Sequence, residues 1–131
     1  MDRYMLNIGL LESSIVGNGR RIPASEALEV VRRTTRMVFG WDAANIAHAV
    51  HDSGTEPTLI VKIMTLVTDH DRVQLLADAL CSRLRQEAIA LAKLDGKGHV
   101  EFGELRGPMA ERWGEFNPEY FLLLNGQPAA N

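Results

Sequence analysis

Nine consecutive residues in the middle of the chain constrain the fold most, because they predict a strand with two apolar faces. The segment runs Leu59-Ile60-Val61-Lys62-Ile63-Met64-Thr65-Leu66-Val67, and only Lys62 and Thr65 interrupt its apolar character. Side chains alternate between the two faces of a sheet, so a strand that is apolar throughout is buried on both faces. Helices must therefore cover one face, and another segment or a second subunit must cover the other.

The patterns on either side of this strand predict the order βαββαβ. Apolar residues at helical spacing predict one helix from Ser25 to near Gly40 and another from Thr68 to Leu84. Strands are predicted over four further segments, residues 4–11, 45–52, 88–94 and 99–105. The last two form a hairpin around Asp95-Gly96-Lys97-Gly98. For residues 45–52 a helix is the alternative, because of the two alanines at positions 47 and 49. We expect an α+β, ferredoxin-like sandwich, with two helices on one face of an antiparallel sheet and an extra C-terminal strand followed by an aromatic tail.

The overall composition limits the classes of partner. The net charge of −3 argues against a general nucleic-acid binder, because such binding depends on summed Lys and Arg charge. No segment approaches 18 apolar residues, so no membrane span is predicted, and the first residues do not resemble a secretory signal. The single cysteine, Cys81, agrees with a reducing compartment and lies on the apolar stripe of the second helix. We therefore expect a cytoplasmic protein in which Cys81 packs in the core.

A basic segment follows a glycine-rich turn and predicts an anion site. Asn18-Gly19 is a cue for a type I′ hairpin turn, and so predicts a small protruding arm over residues 15–22. The candidate ligand-binding residues are Arg20, Arg21, Arg32 and Arg36, because guanidinium groups pair with phosphate or carboxylate in bidentate fashion. The spacing of a full G-x-G-x-x-G motif is missing. A hairpin arm beside a solvated helix face is therefore the alternative interpretation.

Two histidines and a carboxylate are the best candidates for catalysis. His48, His51 and Glu56 lie close together in sequence, and an imidazole oriented by a carboxylate can exchange protons near neutral pH. If residues 45–52 form a strand, His48 and His51 point to opposite faces and cannot share one metal ion. Ordinary sheet and turn positions are the alternative. No metal site or cofactor is predicted, since helix capping accounts for Asp69 and Asp71.

The last third of the chain concentrates aromatic residues. Trp113, Phe116, Tyr120 and Phe121 fall within nine positions, and each ring buries on the order of 150 to 250 Å² when it docks. We expect residues 1–107 to form a single domain and residues 108–131 to form an extension that packs on that domain or on a neighbouring subunit. The third use of these rings is a docking strip for another protein.

One part of the chain resembles a known family. The run from Lys62 through Thr68-Asp69-His70-Asp71 to Val73 is similar to the corresponding part of PII-like signalling proteins, and Asp95-Gly96-Lys97 is similar to their glycine-lysine stretch. Those proteins are ferredoxin-like trimers that bind nucleotides between subunits. The resemblance implies nucleotide binding and assigns no residue to it. The long loop that the family carries between its second and third strands is replaced here by the turn from Gly54 to Pro57.

Together these patterns predict a module that self-associates as a dimer or trimer and binds a small anionic ligand or nucleotide in a regulatory role. The first alternative is a small enzyme that uses the histidines and Glu56 at a subunit cleft. The second is a protein-interaction adaptor that uses the C-terminal aromatic residues. No motif in the sequence identifies a reaction.

Overall fold

A computed structural model describes residues 2–40, 44–52, 57–65 and 70–116 of the chain, and within the second of these ranges the side chains of His48 and Val50 only. The elements, in chain order, are β1 (Asp2–Gly9), α1 (Ala24–Phe39), β2 (Ala44–Asp52), β3 (Pro57–Thr65), α2 (His70–Arg83), β4 (Ile89–Leu94) and β5 (Val100–Arg106). A short 3-10 helix, Ala110–Trp113, follows β5. Among the described residues, no helix has the length and apolar character needed to cross a membrane.

The five strands form one antiparallel sheet in the order β2-β3-β1-β4-β5. The first four strands have the ferredoxin-like arrangement, in which β1 and β3 are central and each helix connects strands that are not neighbours. The β4–β5 hairpin adds the fifth strand at the edge. The predicted fold class is therefore confirmed, and so is the extra C-terminal strand.

One face of the sheet packs against both helices and forms the main core. Leu6 lies opposite Val61 on one side and Leu91 on the other, so one row of apolar side chains crosses the three inner strands. Leu76 and Leu80 of α2 are fully buried against this face. Each such side chain contributes roughly 1.5 to 3 kcal/mol by leaving water. The alternation of apolar residues along the strands therefore selects the face that the helices cover.

The opposite face carries a smaller apolar cluster that a residue of the C-terminal segment covers. Met5, Ile60 and Ala92 are buried there, and the ring of Phe116 packs against them. The ring lies directly over the backbone of Gly103 on β5, where a Cβ atom would collide with it. The close approach of Phe116 therefore requires glycine at position 103.

The predicted type I′ hairpin arm at Asn18-Gly19 is wrong. That turn requires a positive φ at both central residues, and in the described part of the chain Arg85 is the non-glycine residue with a positive φ, at 52°. The chain instead turns earlier, around the side chain of Ser13. Its hydroxyl accepts hydrogen bonds from the N–H groups of Ile15 and Val16, at 3.0 and 3.2 Å. The turn type therefore differs from the expected one. The chain on either side of the loop still pairs antiparallel, because Leu11 bridges Arg21 and the N–H of Ile22 donates to the carbonyl of Leu10 at 2.9 Å.

Candidate functional site

A cleft of about 280 Å³ opens at the end of the sheet where β1 begins and the β4–β5 hairpin turns. It is lined by Asp2, Arg3, Lys93, Leu94, Asp95, Gly96 and Glu101. Its size is close to the lower end of the range for small-molecule sites. Three carboxylates and two cationic side chains line this cleft. It therefore suits a small polar ligand and does not select for an anion alone.

The hairpin turn beside the cleft is held by the carboxylate of Asp95. Its Oδ1 atom accepts hydrogen bonds from the backbone N–H groups of Lys97 and His99, at 2.8 and 2.9 Å. The bonds from His99 and Lys97 lower the pKa of Asp95, because they favour its charged form. Gly98 completes the turn with a φ of 83°. Asp95 therefore stabilises the turn that forms one wall of the cleft.

Lys93 connects the cleft to a groove between α2 and β5. Its Nζ atom lies 3.5 Å from Oε2 of Glu101 in the cleft and 5.9 Å from the centre of the Phe102 ring. The Phe102 ring in turn meets the His70 imidazole edge to face, with ring centres 5.2 Å apart. Lys93 therefore lies between the cleft and the Phe102 ring, which does not itself line the cleft.

Every fourth residue of α2 meets every second residue of β5 across this groove. The α2 side chains are His70, Gln74 and Asp78, and the β5 side chains are Phe102, Glu104 and Arg106. Side chains four apart share one face of a helix, and side chains two apart share one face of a strand. The two periodicities therefore bring six chemically varied side chains into one half-exposed row.

Glu104 is the centre of the polar contacts in this row. Its Oε1 atom accepts a hydrogen bond of 2.6 Å from the Gln74 amide and lies 3.8 Å from Nε2 of His70. Arg106 forms a bidentate pair with Asp78, at 3.0 and 2.7 Å, and the pKa of Arg106 is raised by that pair. The groove therefore contains a carboxylate that is held in place yet one-third exposed, at 33%.

Two buried polar atoms at this end of the sheet have no hydrogen-bond partner among the described residues. They are Oδ2 of Asp2, in the cleft, and Nδ1 of His70, in the groove. Buried polar atoms in folded proteins are nearly always hydrogen-bonded. Because both atoms are buried, neither is exposed to a ligand in the cleft or the groove.

The structure does not gather the predicted arginines into one site. Arg20 donates two hydrogen bonds to Glu26, at 3.0 and 3.2 Å, and lies 3.4 Å from the buried carboxylate of Glu12. These contacts raise the pKa of Arg20, with Glu26 as the largest cause. Arg36 lies ten residues beyond Glu26 on α1, about 15 Å along the helix axis. Arg21 and Arg32 are exposed.

The predicted histidine site is described only in part. His48 is exposed on the edge strand β2 and pairs with Val61 in the register, whereas His51 pairs with Thr58. The side chain of His51 and the whole of Glu56 lie outside the described residues. The structure brings a different His–Glu pair together, His70 and Glu104, which lie on α2 and β5.

The predicted interface residues occupy two environments where they are described. The side chain of Trp113 is 59% exposed, and its Nε1 atom donates a hydrogen bond of 3.4 Å to Glu87. Phe116 packs on the sheet, whereas Tyr120 and Phe121 lie outside the described residues. The described residues contain no group of three or more potential ligands placed to hold a metal ion.

Comparisons with known proteins bear on the fold. No family model and no curated protein matches the sequence. Two solved structures of a phage SAM lyase are similar to this chain, each covering 81% of it and 88% of the lyase. The lyase in complex with S-methyl-5′-thioadenosine has 18% sequence identity and a TM-score of 0.50. The lyase in its apo state has 16% identity and a TM-score of 0.54. At this level of identity, the likeness shows a shared α+β fold.

Proposed function

We propose that this chain is a small-molecule-binding module, and that its ligand is a nucleoside or nucleotide bound at the hairpin end of the sheet. The observation that carries the proposal is that Lys93 lines the polar cleft and also contacts the exposed Phe102 ring. A nucleoside presents a planar base at one end and polar groups at the other. Aromatic side chains stack on bases, and charged or polar side chains hold the remainder of such a ligand.

Two likenesses support this ligand class. A phage SAM lyase with a similar fold was solved in complex with S-methyl-5′-thioadenosine, which is a nucleoside. The resemblance of the α2 region to PII-like signalling proteins implies nucleotide binding independently. A regulatory role for the bound ligand follows from that second resemblance and belongs to the same proposal.

The anion site proposed at Arg20, Arg21, Arg32 and Arg36 has less support. The Arg20 guanidinium already has two carboxylate partners, so an incoming anion must compete with Glu12 and Glu26. At the hairpin cleft, by contrast, Arg3 is exposed and lies beside acidic and basic neighbours. The cleft is therefore the better candidate for the ligand site.

A thermal-shift screen tests the proposal, with SAM, S-methyl-5′-thioadenosine, AMP and ATP as probes. A ligand at one hundred times its dissociation constant adds about 2.7 kcal/mol, which raises the Tm by several degrees. We expect a shift with at least one probe, and about tenfold weaker binding in Arg3→Ala with Lys93→Ala. Arg33→Ala is the matched control, because Arg33 is 70% exposed on α1 and pairs only locally with Glu29. The absence of a shift with every probe would contradict the proposal.

A protein-interaction role is the second candidate, and the exposure of Trp113 favours it. Leu11, Ile15 and Val16 are also exposed, at 42%, 60% and 39%. They flank Ser13, which donates a hydrogen bond to the same Glu87 carboxylate that accepts from Trp113. In a Trp41→Phe background, we expect Trp113 to emit as an exposed indole until a partner is added. Blue-shifted emission from the isolated protein would count against this role.

Self-association as a dimer or trimer remains a proposal. It is tested by light scattering at micromolar concentration, where a monomeric mass would remove it. The acid–base alternative at His48, His51 and Glu56 also remains a hypothesis, and its test is the turnover of a bound ligand with each side chain replaced in turn.

A further inference from the structure

We infer that the groove between α2 and β5 is a subsite for an amino-substituted nucleobase, with Phe102 as the stacking surface and Glu104 as the hydrogen-bond acceptor. The inference rests on the proposed function and names the part of the ligand that this groove recognises. Neither residue was a candidate in the sequence. The β4–β5 hairpin places Phe102 opposite Lys93 of the cleft, and Glu104 follows two residues later, opposite Leu91.

Phe102 has the properties of a stacking surface. Its side chain is 45% exposed, which leaves an aromatic surface available to a ligand. The ring meets His70 edge to face at 5.2 Å, which restricts its movement. The Lys93 ammonium lies over the ring, 5.9 Å from its centre, so a base that stacks on that face takes the place of the ammonium. A ring that is already held loses little conformational entropy when a base stacks on it.

Glu104 determines which group the ligand must present to this subsite. The Gln74 amide donates to its Oε1 atom at 2.6 Å, and Nη1 of Arg106 lies 3.9 Å from the same oxygen. These contacts orient a carboxylate whose side chain is 33% exposed. An ionised carboxylate only accepts hydrogen bonds, so the base must donate one. An exocyclic amino group satisfies this requirement, whereas a carbonyl oxygen at the same place repels the carboxylate.

The spacing of the two residues fits one ligand. Phe102 and Glu104 lie two positions apart on β5, about 6.6 Å along the strand, and both face α2. A base stacked on the ring therefore presents its edge to the carboxylate. The cleft beyond Lys93 then receives the ribose and any attached group, which keeps the whole ligand at the same end of the sheet.

Paired probes that differ in one ring substituent test this subsite. Adenosine and inosine, and likewise AMP and IMP, differ in having an amino group or a carbonyl oxygen at the same ring position. We expect calorimetric titration to show tighter binding of the amino member of a pair. Phe102→Ala should weaken that binding by roughly 5- to 100-fold, whereas Phe102→Trp should retain it. Glu104→Gln should weaken it about 10-fold or more and abolish the preference over the carbonyl member.

Leu75→Ala is the matched control, since Leu75 is 57% exposed on α2. A circular dichroism melt of each variant without ligand verifies that it is folded before titration. Equal affinity for both members of every pair, or unchanged affinity in Phe102→Ala and Glu104→Gln, would overturn the subsite while leaving the proposed function in place. Failure of every nucleoside and nucleotide to bind would overturn both.

Discussion

The two faces of the sheet bury their apolar residues in different ways. In the part of the chain that the structure describes, the face covered by helices belongs to a cluster of nineteen buried residues contributed by strands, helices and connections. Among the described residues, the opposite face has a cluster of three, Met5, Ile60 and Ala92, with Phe116 packed against it. Two amphipathic helices cover the first face, whereas the cover of the second face includes the contact of one ring, Phe116, with the backbone of Gly103. We therefore expect a substitution on the first face to lower the free energy of unfolding according to the side-chain volume that it removes. On the second face, we expect the loss to depend on whether the new side chain collides with its neighbour.

The largest effect is expected from a truncation on the helix-covered face. Leu76→Ala removes a fully buried side chain and leaves a cavity, so we expect the free energy of unfolding to fall by about 2 to 5 kcal/mol. Chemical denaturation measures this change. The adjacent Leu75→Ala is the control, because Leu75 is exposed and its loss should change stability by about 0.5 kcal/mol or less. Equal effects at the two positions would contradict the assignment of the helix faces.

A smaller loss of stability is expected on the opposite face, where the contact between Gly103 and Phe116 leaves no room for a larger side chain. Gly103→Ala places a Cβ against the far end of the Phe116 ring, so the ring must shift, and the change should cost no more than undocking the ring, about 1 to 2 kcal/mol. Phe116→Ala should cost a similar amount or less, because the ring is only partly buried. Together the two changes should cost less than their sum, since the smaller residue at 116 relieves the collision. Additive losses in this double-mutant cycle would mean that the two residues do not contact each other.

Cys81 is buried in the helix-covered core, so we expect its thiol to be unreactive in the folded protein. Burial, with a smaller contribution from Asp78, raises the pKa of Cys81 from 9.0 to about 12, so the folded protein favours the neutral thiol. Stability from this group is complete below pH 9 and is lost as the pH rises toward 12. We expect a thiol reagent at pH 8 to modify Cys81 only after unfolding. Rapid modification of the native protein would show that this face opens locally.

The variant Cys81→Ala is a direct control for the loss of stability at alkaline pH. Cys81→Ala removes the ionisable thiol, so its stability should depend less steeply on pH above 9 than that of the unmodified protein. The comparison is made by denaturation at several pH values. Identical slopes for the two proteins would assign the alkaline effect to other groups.

The smallest change in stability is expected at the Asp95 turn of the β4–β5 hairpin, when the pH is lowered. Hydrogen bonds from His99 and Lys97 lower the pKa of Asp95, so its contribution to stability is present above the ordinary carboxyl pKa, about 3.9. That contribution is lost as the pH falls through the lower folded value. We expect the amide signals of Lys97 and His99 to shift in acid by NMR. The shift should be absent in Asp95→Asn.

Much of the fold was predictable because it depends on local periodicity. The strand predicted within residues 59–67, which is described over Pro57–Thr65, the helical stripe around Leu76 and the Asp95 turn each carry their signal within a few residues. The expected burial of both faces of that strand is not complete, because Met64 is 36% exposed. The Asn18-Gly19 arm was not predictable in this way. The turn there depends on the Ser13 hydroxyl, which accepts hydrogen bonds from the N–H groups of Ile15 and Val16. The turn propensity of Asn18-Gly19 does not predict those hydrogen bonds.

The groove residues were not recognised in the sequence, although their periodicity was present. His70, Gln74 and Asp78 repeat at helical spacing, and Phe102, Glu104 and Arg106 alternate along a strand. Each set alone is also typical of an ordinary solvated face. Their meeting depends on the added strand β5 lying beside β4 and within reach of α2, which neither set specifies by itself.

The sequence by itself determined the order of elements, the strand with two apolar faces and the residues that enter the helix-covered core, because these properties depend on side-chain periodicity along short segments. The tertiary structure alone decided which distant side chains meet. It placed Phe116 over Gly103, Glu104 beside Gln74, and Lys93 between a cleft and an aromatic ring. The physical reason is that such contacts follow from strand order and register, which the whole packed sheet determines and no single segment encodes.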